Sequence, residues 1–284
     1  MLRRGAQPQE DGAMNPDADS RFAGSIPQLY ERLLVPLIFA PYAADLAARL
    51  AAHVPRRVLE LAAGTGAVTR ELALRLPAEA EITATDLNPP MLALAESIGT
   101  ARPVRWQVAD AQQLPFDDGA FDAVICQFGV MFFPDRLRAY AEARRVLRDG
   151  GLLLFNVWDA IEHNEFADCV TQALAGVFPD DPPRFMVRVP HGYHDTARIA
   201  ADLAQAGFAQ SPRIDTLAAR SRAGAAAPVA LAYCQGTPFR NEIESRDASR
   251  LAEATAAAEQ ALARRFGAGV IDGKIQAHII AVPR

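Results

Sequence analysis

A chain of 284 residues, half of them hydrophobic, is long enough for one large domain with an ordinary buried core. Its net charge of -5 at pH 7, and basic residues that are scattered rather than gathered in a stripe, argue against a nucleic-acid backbone as partner. Cys126, Cys169 and Cys234 stand far apart with no Cys-x-x-Cys spacing, which leaves neither a zinc site nor a disulfide framework.

Residues 1–19 are polar, rich in Gly, Gln, Asp and Pro, and without hydrophobic period; they read as a disordered tail, in which Met14 offers an alternative start. From Ser20 the character changes. Phe22, Ile26, Leu29, Tyr30, Leu33 and Leu34 lead into an apolar run broken by Pro36 and Pro41, which predicts two short helices with a bend, followed by an amphipathic helix over 42–52. This arm, residues 20–52, reads as a lid. No run approaches the roughly 20 uninterrupted apolar residues of a spanning helix, and the N-terminus has no apolar signal core. A soluble, cytoplasmic protein is expected.

The stretch Arg57 to Leu72 organises the rest. Val58, Leu59 and Leu61 form a short apolar run, Ala62-Ala63-Gly64-Thr65-Gly66 is small and glycine-containing, and an amphipathic segment follows; strand, tight turn and helix start is the expected order. Alone, a Gly-x-Gly is often only a turn. Glu81 to Thr85 then reads as a second strand ending at Asp86, about twenty residues past the glycines, where an acid can accept both hydroxyl hydrogens of a ribose. Asn88 is placed to cap a helix that begins with Pro89 and Pro90. A dinucleotide fingerprint wants a third glycine where Thr69 stands, which counts against a nicotinamide cofactor.

Val104 to Val108 reads as a third strand leading to Asp110, and Ala123 to Phe128 as a fourth. Asp117, Asp118 and Asp122 shape the turn before it. Met131-Phe132-Phe133 lies just past its end, a run that more often packs a core than lines a site. A helix over Arg136–Leu147 stopped by Gly150-Gly151 and a continuous apolar strand, Leu152 to Val157, complete an alternation that implies a parallel sheet covered on both faces. Beyond Trp158 the expected elements are a helix over 160–178, a Pro- and Arg-rich stretch with His191-Gly192-Tyr193-His194, a helix capped by Thr196 and ended by Gly207, a strand from Arg213 to Ala219, helices over 225–235 and 246–266, and a last strand from Ile275 to Val282. His191 and His194 are three apart, but Gly192 argues for a turn, and no third metal ligand is evident.

The ordered set VLELAAGTG, TDLNPPML, VADAQQLPFDDGAFDAVICQFGVMFF and EARRVLRDGGLLLFNVWD resembles the class I S-adenosylmethionine-dependent methyltransferases, in particular the small-molecule, ubiquinone/menaquinone-biosynthesis-like (methyltransferase type 11) group. The likeness is tight over residues 55–160 and looser outside them. It implies a Rossmann-like α/β fold, a seven-stranded mostly parallel sheet of order 3-2-1-4-5-7-6 with the last strand antiparallel, and a helical lid and cap. In that organisation residues 53–159 form the S-adenosylmethionine-binding core and 160–284 the cap helices and completing strands of the same domain.

Position by position, the resemblance implies that Glu60, Ala62, Gly64, Thr65 and Gly66 line the methionine end of the cofactor. Asp86 takes the ribose diol, with Leu87 and Met91 against the adenine; Asp110 and the backbone of Ala111 read the adenine edge; Gln127 stands behind the sulfonium. Tyr30 either offers its ring to the sulfonium, a cation–π contact of about 0.5–2 kcal/mol, or packs the arm onto the sheet; for Phe22 packing is the better reading. The family has glycine where Ala62 stands, so the backbone there must avoid positive φ or carry strain. Methyl transfer needs positioning and water exclusion first, and a base only for a protonated acceptor. His163, His191 and His194 are the candidates, though a lid histidine without catalytic duty is the commoner case. The acceptor is expected to be small and partly hydrophobic, with no nucleic acid, metal or membrane span involved. A nicotinamide-dependent oxidoreductase and a non-catalytic S-adenosylmethionine-binding protein are the alternatives.

Overall fold

The structure is a computed structural model that describes residues 19–284. The tail assigned to residues 1–19 therefore lies outside the described residues except for Asp19. That residue is buried and paired with Arg188, whose Nη2 donates to its Oδ1 at 2.8 Å.

The described residues build a seven-stranded sheet in the order β3-β2-β1-β4-β5-β7-β6, with β1 Arg57–Leu61, β2 Glu81–Asp86, β3 Arg105–Val108, β4 Phe121–Gln127, β5 Leu147–Trp158, β6 Arg213–Ala223 and β7 Ile271–Pro283. The pairs β1–β2, β2–β3, β1–β4 and β4–β5 are parallel, and β7 runs antiparallel to both β5 and β6. This is the order the resemblance implied. Strand order reverses between β1 and β4, and it is outside the carboxyl ends of the strands at such a switch point that α/β sheets open a crevice.

Helices cover the sheet: α1 Ile26–Ala51, α2 Ala67–Arg75, α3 Pro89–Ile98, α4 Arg136–Val146, α5 Glu165–Val177, α6 Thr196–Gln205, α7 Ala226–Gln235, α8 Phe239–Asp247 and α9 Leu251–Phe266. The arm departs from expectation. Instead of two short helices with a bend, α1 is one uninterrupted helical run whose middle, Tyr30–Phe39, is wound as a π-helix around Pro36. The wider π turn accommodates a residue that lacks an amide hydrogen and would clash in an ordinary α turn, and Pro41 falls harmlessly in the first turn of the following α segment. With 26 residues, α1 is long and apolar enough to cross a membrane by length and composition; here Leu34, Tyr42, Leu46 and Leu50 are fully buried in the domain core. Its polar face is pinned as well, since Arg49 pairs with Asp215 on β6 at 2.5 Å and the Tyr42 hydroxyl donates to Leu217 O at 3.2 Å.

Smaller departures have local causes. Asn88 stands at the head of α3 but does not cap it: its Oδ1 accepts the amide of Phe22 at 3.2 Å and its Nδ2 donates to Asp86. Asp195, not Thr196, caps α6, accepting from the amides of Ala197 and Arg198. Gly150, at φ +71°, and Gly151 form a bulge inside β5 rather than a stop before it. The helix expected over 246–266 is two, α8 and α9, with a short turn between.

Candidate active site

The strand ends at the switch point open into a cavity of about 300 Å³. Its first half is made by consecutive βα turns. The backbone after β1 turns through Ala62 and Gly64, both at positive φ (+51° and +58°), and the Gly64 amide donates to Asp86 Oδ2 at 2.8 Å. Ala62 thus holds the left-handed conformation that glycine would adopt freely, at a cost of about 1 kcal/mol. The neighbouring structure has adapted to its methyl group: a Cβ on Gly129 would meet the Ala62 Cβ at 2.5 Å and Cys126 Sγ at 2.6 Å.

Asp86 is buried at the end of β2, where its other oxygen accepts the Asn88 amide at 2.8 Å. Burial pushes its carboxyl above the ordinary range, while the Asn88 and Gly64 amides oppose that shift. Asp110, after β3, is held by the Gln112 amide at 2.8 Å and by its side chain at 3.1 Å. Both aspartates face the cavity, as do Leu87, Met91 and Ala111. At the end of β4, Gln127 also lines it, and its buried Oε1 has no hydrogen-bond partner among the described residues.

Three expected residues stand behind this wall and not on it. Glu60 is fully buried, its carboxylate receiving the Thr69 hydroxyl at 2.6 Å, and burial raises its pKa to about 8. Thr65 spends its carbonyl on Arg70 Nη1 at 2.7 Å; the same guanidinium pairs with Glu31 of α1 at 2.7 Å and so ties the arm to the turn. Gly66, at φ +82°, serves close packing, because a Cβ there would press on Trp106 at 3.1 Å and Ala95 at 3.3 Å. Thr69 fills the place of the third dinucleotide glycine and is bound to Glu60.

The second half of the cavity comes from segments far apart in the chain: Leu34, Ile38 and Phe39 of α1, Phe128 and Phe132 after β4, Trp158 at the end of β5, Phe185, Met186 and His191 from the cap, Tyr233 of α7, and Ile275 of β7. Phe128 stacks on Trp158 at 3.8 Å between centroids, and Tyr30 stacks on Phe39 at 4.9 Å. Phe22 and Tyr30 both reach the cavity, and Phe22 also packs edge-on against Tyr30 and Phe132. Of Met131-Phe132-Phe133, the two phenylalanines line it and Met131 is core. Sequence reading passed over Phe39, Phe128, Trp158 and Tyr233, since nothing local separates them from core aromatics.

The three candidate histidines part company. Only His191 lines the cavity; His163 and His194 do not. The turn expected at Gly192 is present, and a Cβ there would strike Arg188 O at 2.1 Å. Among the described residues no three His, Cys, Asp or Glu side chains gather as a metal site.

Residues 59–155 match a methyltransferase-domain family. Demethylmenaquinone methyltransferase of Thermus thermophilus is 47% identical over 114 residues, 39% of this chain and 50% of that protein. Malonyl-[acyl-carrier protein] O-methyltransferase of Geobacter sulfurreducens is 37% identical over 155 residues, 54% of this chain and 56% of that one. The chain spans about half the length of the curated relatives it matches. Among solved structures, phosphoethanolamine N-methyltransferase 2 of Haemonchus contortus, bound to S-adenosylhomocysteine, superposes with a TM-score of 0.57 at 16% identity, covering 95% of this chain and 60% of that one, a likeness of fold alone. Residues 59–155 thus match a methyltransferase domain, and they form the part of the sheet that carries the switch-point crevice. The chain is also similar to the ubiquinone/menaquinone biosynthesis C-methyltransferase of Citrifermentans bemidjiense, 39% identical over 103 residues, 34% of this chain and 43% of that protein.

Proposed function

We propose that this chain transfers a methyl group from S-adenosylmethionine to a small, partly hydrophobic acceptor of the size and character of a quinone nucleus. The observation that carries the reading is a single cavity in which two aspartates at successive strand ends face an aromatic wall across the switch point. The residues present suit the cofactor: Asp86 and Asp110 supply acceptors for ribose hydroxyls and an adenine amino group, and the unpartnered Gln127 Oε1 offers a dipole to a cationic centre. When bound, the cofactor supplies a methyl group on a positively charged sulfur that an acceptor lone pair displaces in line.

Everything else falls to the chain. Asp86 holds the ribose, Leu87 and Met91 pack the base, and Ala62 and Gly64 shape the turn beneath the amino-acid end. Because the Gly64 amide is already bonded to Asp86, it fixes that carboxylate rather than greeting the ligand. Glu60, Thr65 and Gly66 support the turn from behind. Tyr30, Phe22 and Phe132 exclude water from the reacting groups, which strengthens the electrostatics within. In this reading residues 20–52 are the lid, 53–159 the cofactor core and 160–284 the cap and completing strands, in a cytoplasmic protein.

The test is release of S-adenosylhomocysteine, with transfer of labelled methyl, across a library of phenols, hydroquinones and short acyl carriers. Turnover on at least one member is expected. Tight S-adenosylhomocysteine binding with no turnover on any would favour a binding protein without activity.

A further inference from the structure

The acceptor half of the cavity has a chemical bias that its shape alone does not convey. Among the described residues lining the cavity none is lysine or arginine, and the only carboxylates are Asp86 and Asp110 on the cofactor side. An anionic acceptor would lose its hydration there with no cation in return, a cost an uncharged molecule avoids. The wall around it is mostly aromatic and aliphatic, with Phe39, Trp158, Tyr233 and Ile275 prominent; of its polar side chains, Asn164 Nδ2 donates to Asp159 O and Ala160 O, and Thr237 Oγ1 donates to Tyr233 O.

Into that wall is set one nitrogen whose role is fixed. His191 is buried, and its Nδ1 lies 2.8 Å from the carbonyl oxygen of Asp159. A carbonyl can only accept, so Nδ1 carries the hydrogen and, in the neutral ring, Nε2 carries the lone pair. The Asp159 carbonyl is itself held in place: the residue's amide donates to Gln276 O at 3.0 Å, and its carboxylate receives Gln276 Nε2 at 2.5 Å and faces His278 Nε2 at 3.1 Å. The His191 amide donates to Met186 O at 2.9 Å, and the backbone beyond it passes so close to Arg188 O that only glycine fits at position 192. Burial pushes the imidazole pKa down to about 4, against the opposing hydrogen bond to the Asp159 carbonyl and the nearby Glu162 and Asp159 carboxylates, so the ring is neutral at pH 7. Nε2 has no partner among the described residues.

We propose, resting on the methyltransferase reading above, that the acceptor is an uncharged aromatic compound carrying a hydroxyl group, and that His191 Nε2 receives the hydrogen of that hydroxyl. The same geometry discriminates by donor and acceptor. A phenol or hydroquinone presents an O–H to the lone pair, whereas the corresponding ether or oxidised quinone presents another lone pair and is rejected. A site built around a buried acceptor penalises an analogue that leaves it unpaired far more than one that differs by a methylene.

Calorimetry on the full chain saturated with S-adenosylhomocysteine tests this with three probes that share a ring system: 2-naphthol, 2-methoxynaphthalene and 2-naphthoate. Naphthol is expected to bind at least about tenfold more tightly than the methoxy compound, and naphthoate not measurably. In His191→Phe the preference for naphthol should fall to within about twofold while the methoxy affinity is retained; His191→Gln, whose amide oxygen can accept, should keep part of it. Should His191→Phe not fold, the wild-type ¹⁵N spectrum serves: naphthol should shift one histidine Nε2 resonance of the Nδ1–H tautomer, a resonance missing from His191→Gln. Equal affinity for naphthol and its ether, binding of naphthoate at naphthol strength, no binding of naphthol, or a full preference in His191→Phe would each overturn the proposal. Failure of S-adenosylhomocysteine itself to bind is a different result; it removes the underlying reading, and naphthol discrimination by the chain alone still decides the role of His191.

Discussion

The two halves of the cavity are built in opposite ways. The cofactor half comes from Ala62 to Ala111, three successive strand ends whose turns present backbone groups and two carboxylates. The acceptor half is assembled from α1, the ends of β4 and β5, the cap, α7 and β7, and presents ring faces and a single neutral imidazole. Recognition of an invariant nucleoside can be written into one contiguous stretch of chain. An acceptor pocket put together from separate segments can change residue by residue without disturbing the sheet beneath it.

Substitutions that act on one half alone test this division, and the largest effect belongs to Asp86. Asp86→Ala frees the Gly64 and Asn88 amides and, on the proposed reading, removes two charge-assisted hydrogen bonds to a ribose, so S-adenosylhomocysteine affinity should fall by about 100-fold or more. Calorimetry on the folded variant reads it, and naphthol binding should be far less affected. An affinity within threefold of wild type would break the assignment of this half.

Next comes the carboxyl buried behind the turn. Glu60 has its pKa raised to about 8 by burial, above its value in the unfolded chain. Its contribution to stability is therefore complete below about pH 4.5 and is lost as pH rises through 8. Glu60→Gln should leave stability nearly unchanged at pH 5 and raise it at pH 8 by an amount on the order of 3 kcal/mol, measured by urea unfolding at both pH values. A gain equal at both would mean that the carboxyl is not protonated in the fold.

Overpacking at the seam between the halves is smaller. Gly129→Ala would drive a methyl against Ala62 and Cys126 and should cost about 1–3 kcal/mol, with Ala62→Gly in the same chain recovering part of it. The smallest effect is Ala62→Gly alone. Relief of the φ +51° backbone is offset by the freedom glycine adds to the unfolded state, so the net change should stay below about 1 kcal/mol. A thermal denaturation series on the two single variants and the double variant reads both.

How much could be read in advance follows the same division. The sheet order, the crevice and the place of Asp86, Leu87, Met91, Asp110, Ala111 and Gln127 on its wall were legible because each lies at a fixed offset from a strand end. Glu60, Thr65 and Gly66 were assigned to the wall because they lie in the motif, yet alternation along β1 and the inward packing of the turn put them behind it. Pro36 suggested a break, and the chain answered with a π turn instead, in a segment whose Leu34, Leu37, Ile38 and Phe39 are buried in the core. Trp158, Phe128, Phe39 and Tyr233 were invisible as site residues, since a ring facing a cavity and a ring facing a core have the same sequence signature. His191 was one of three equal candidates until the fold put only it on the cavity.

The central claim is that the adenosine moiety of the cofactor spans Asp86 and Asp110 with its sulfur toward Gln127 and the aromatic half. A crystal structure of the chain grown with S-adenosylhomocysteine measures this directly. The account predicts both ribose hydroxyls within hydrogen-bond distance of Asp86, the adenine amino group at Asp110, and the thioether facing Gln127. Nucleoside density on the aromatic side, or a crevice without nucleoside density at saturating ligand, would contradict it.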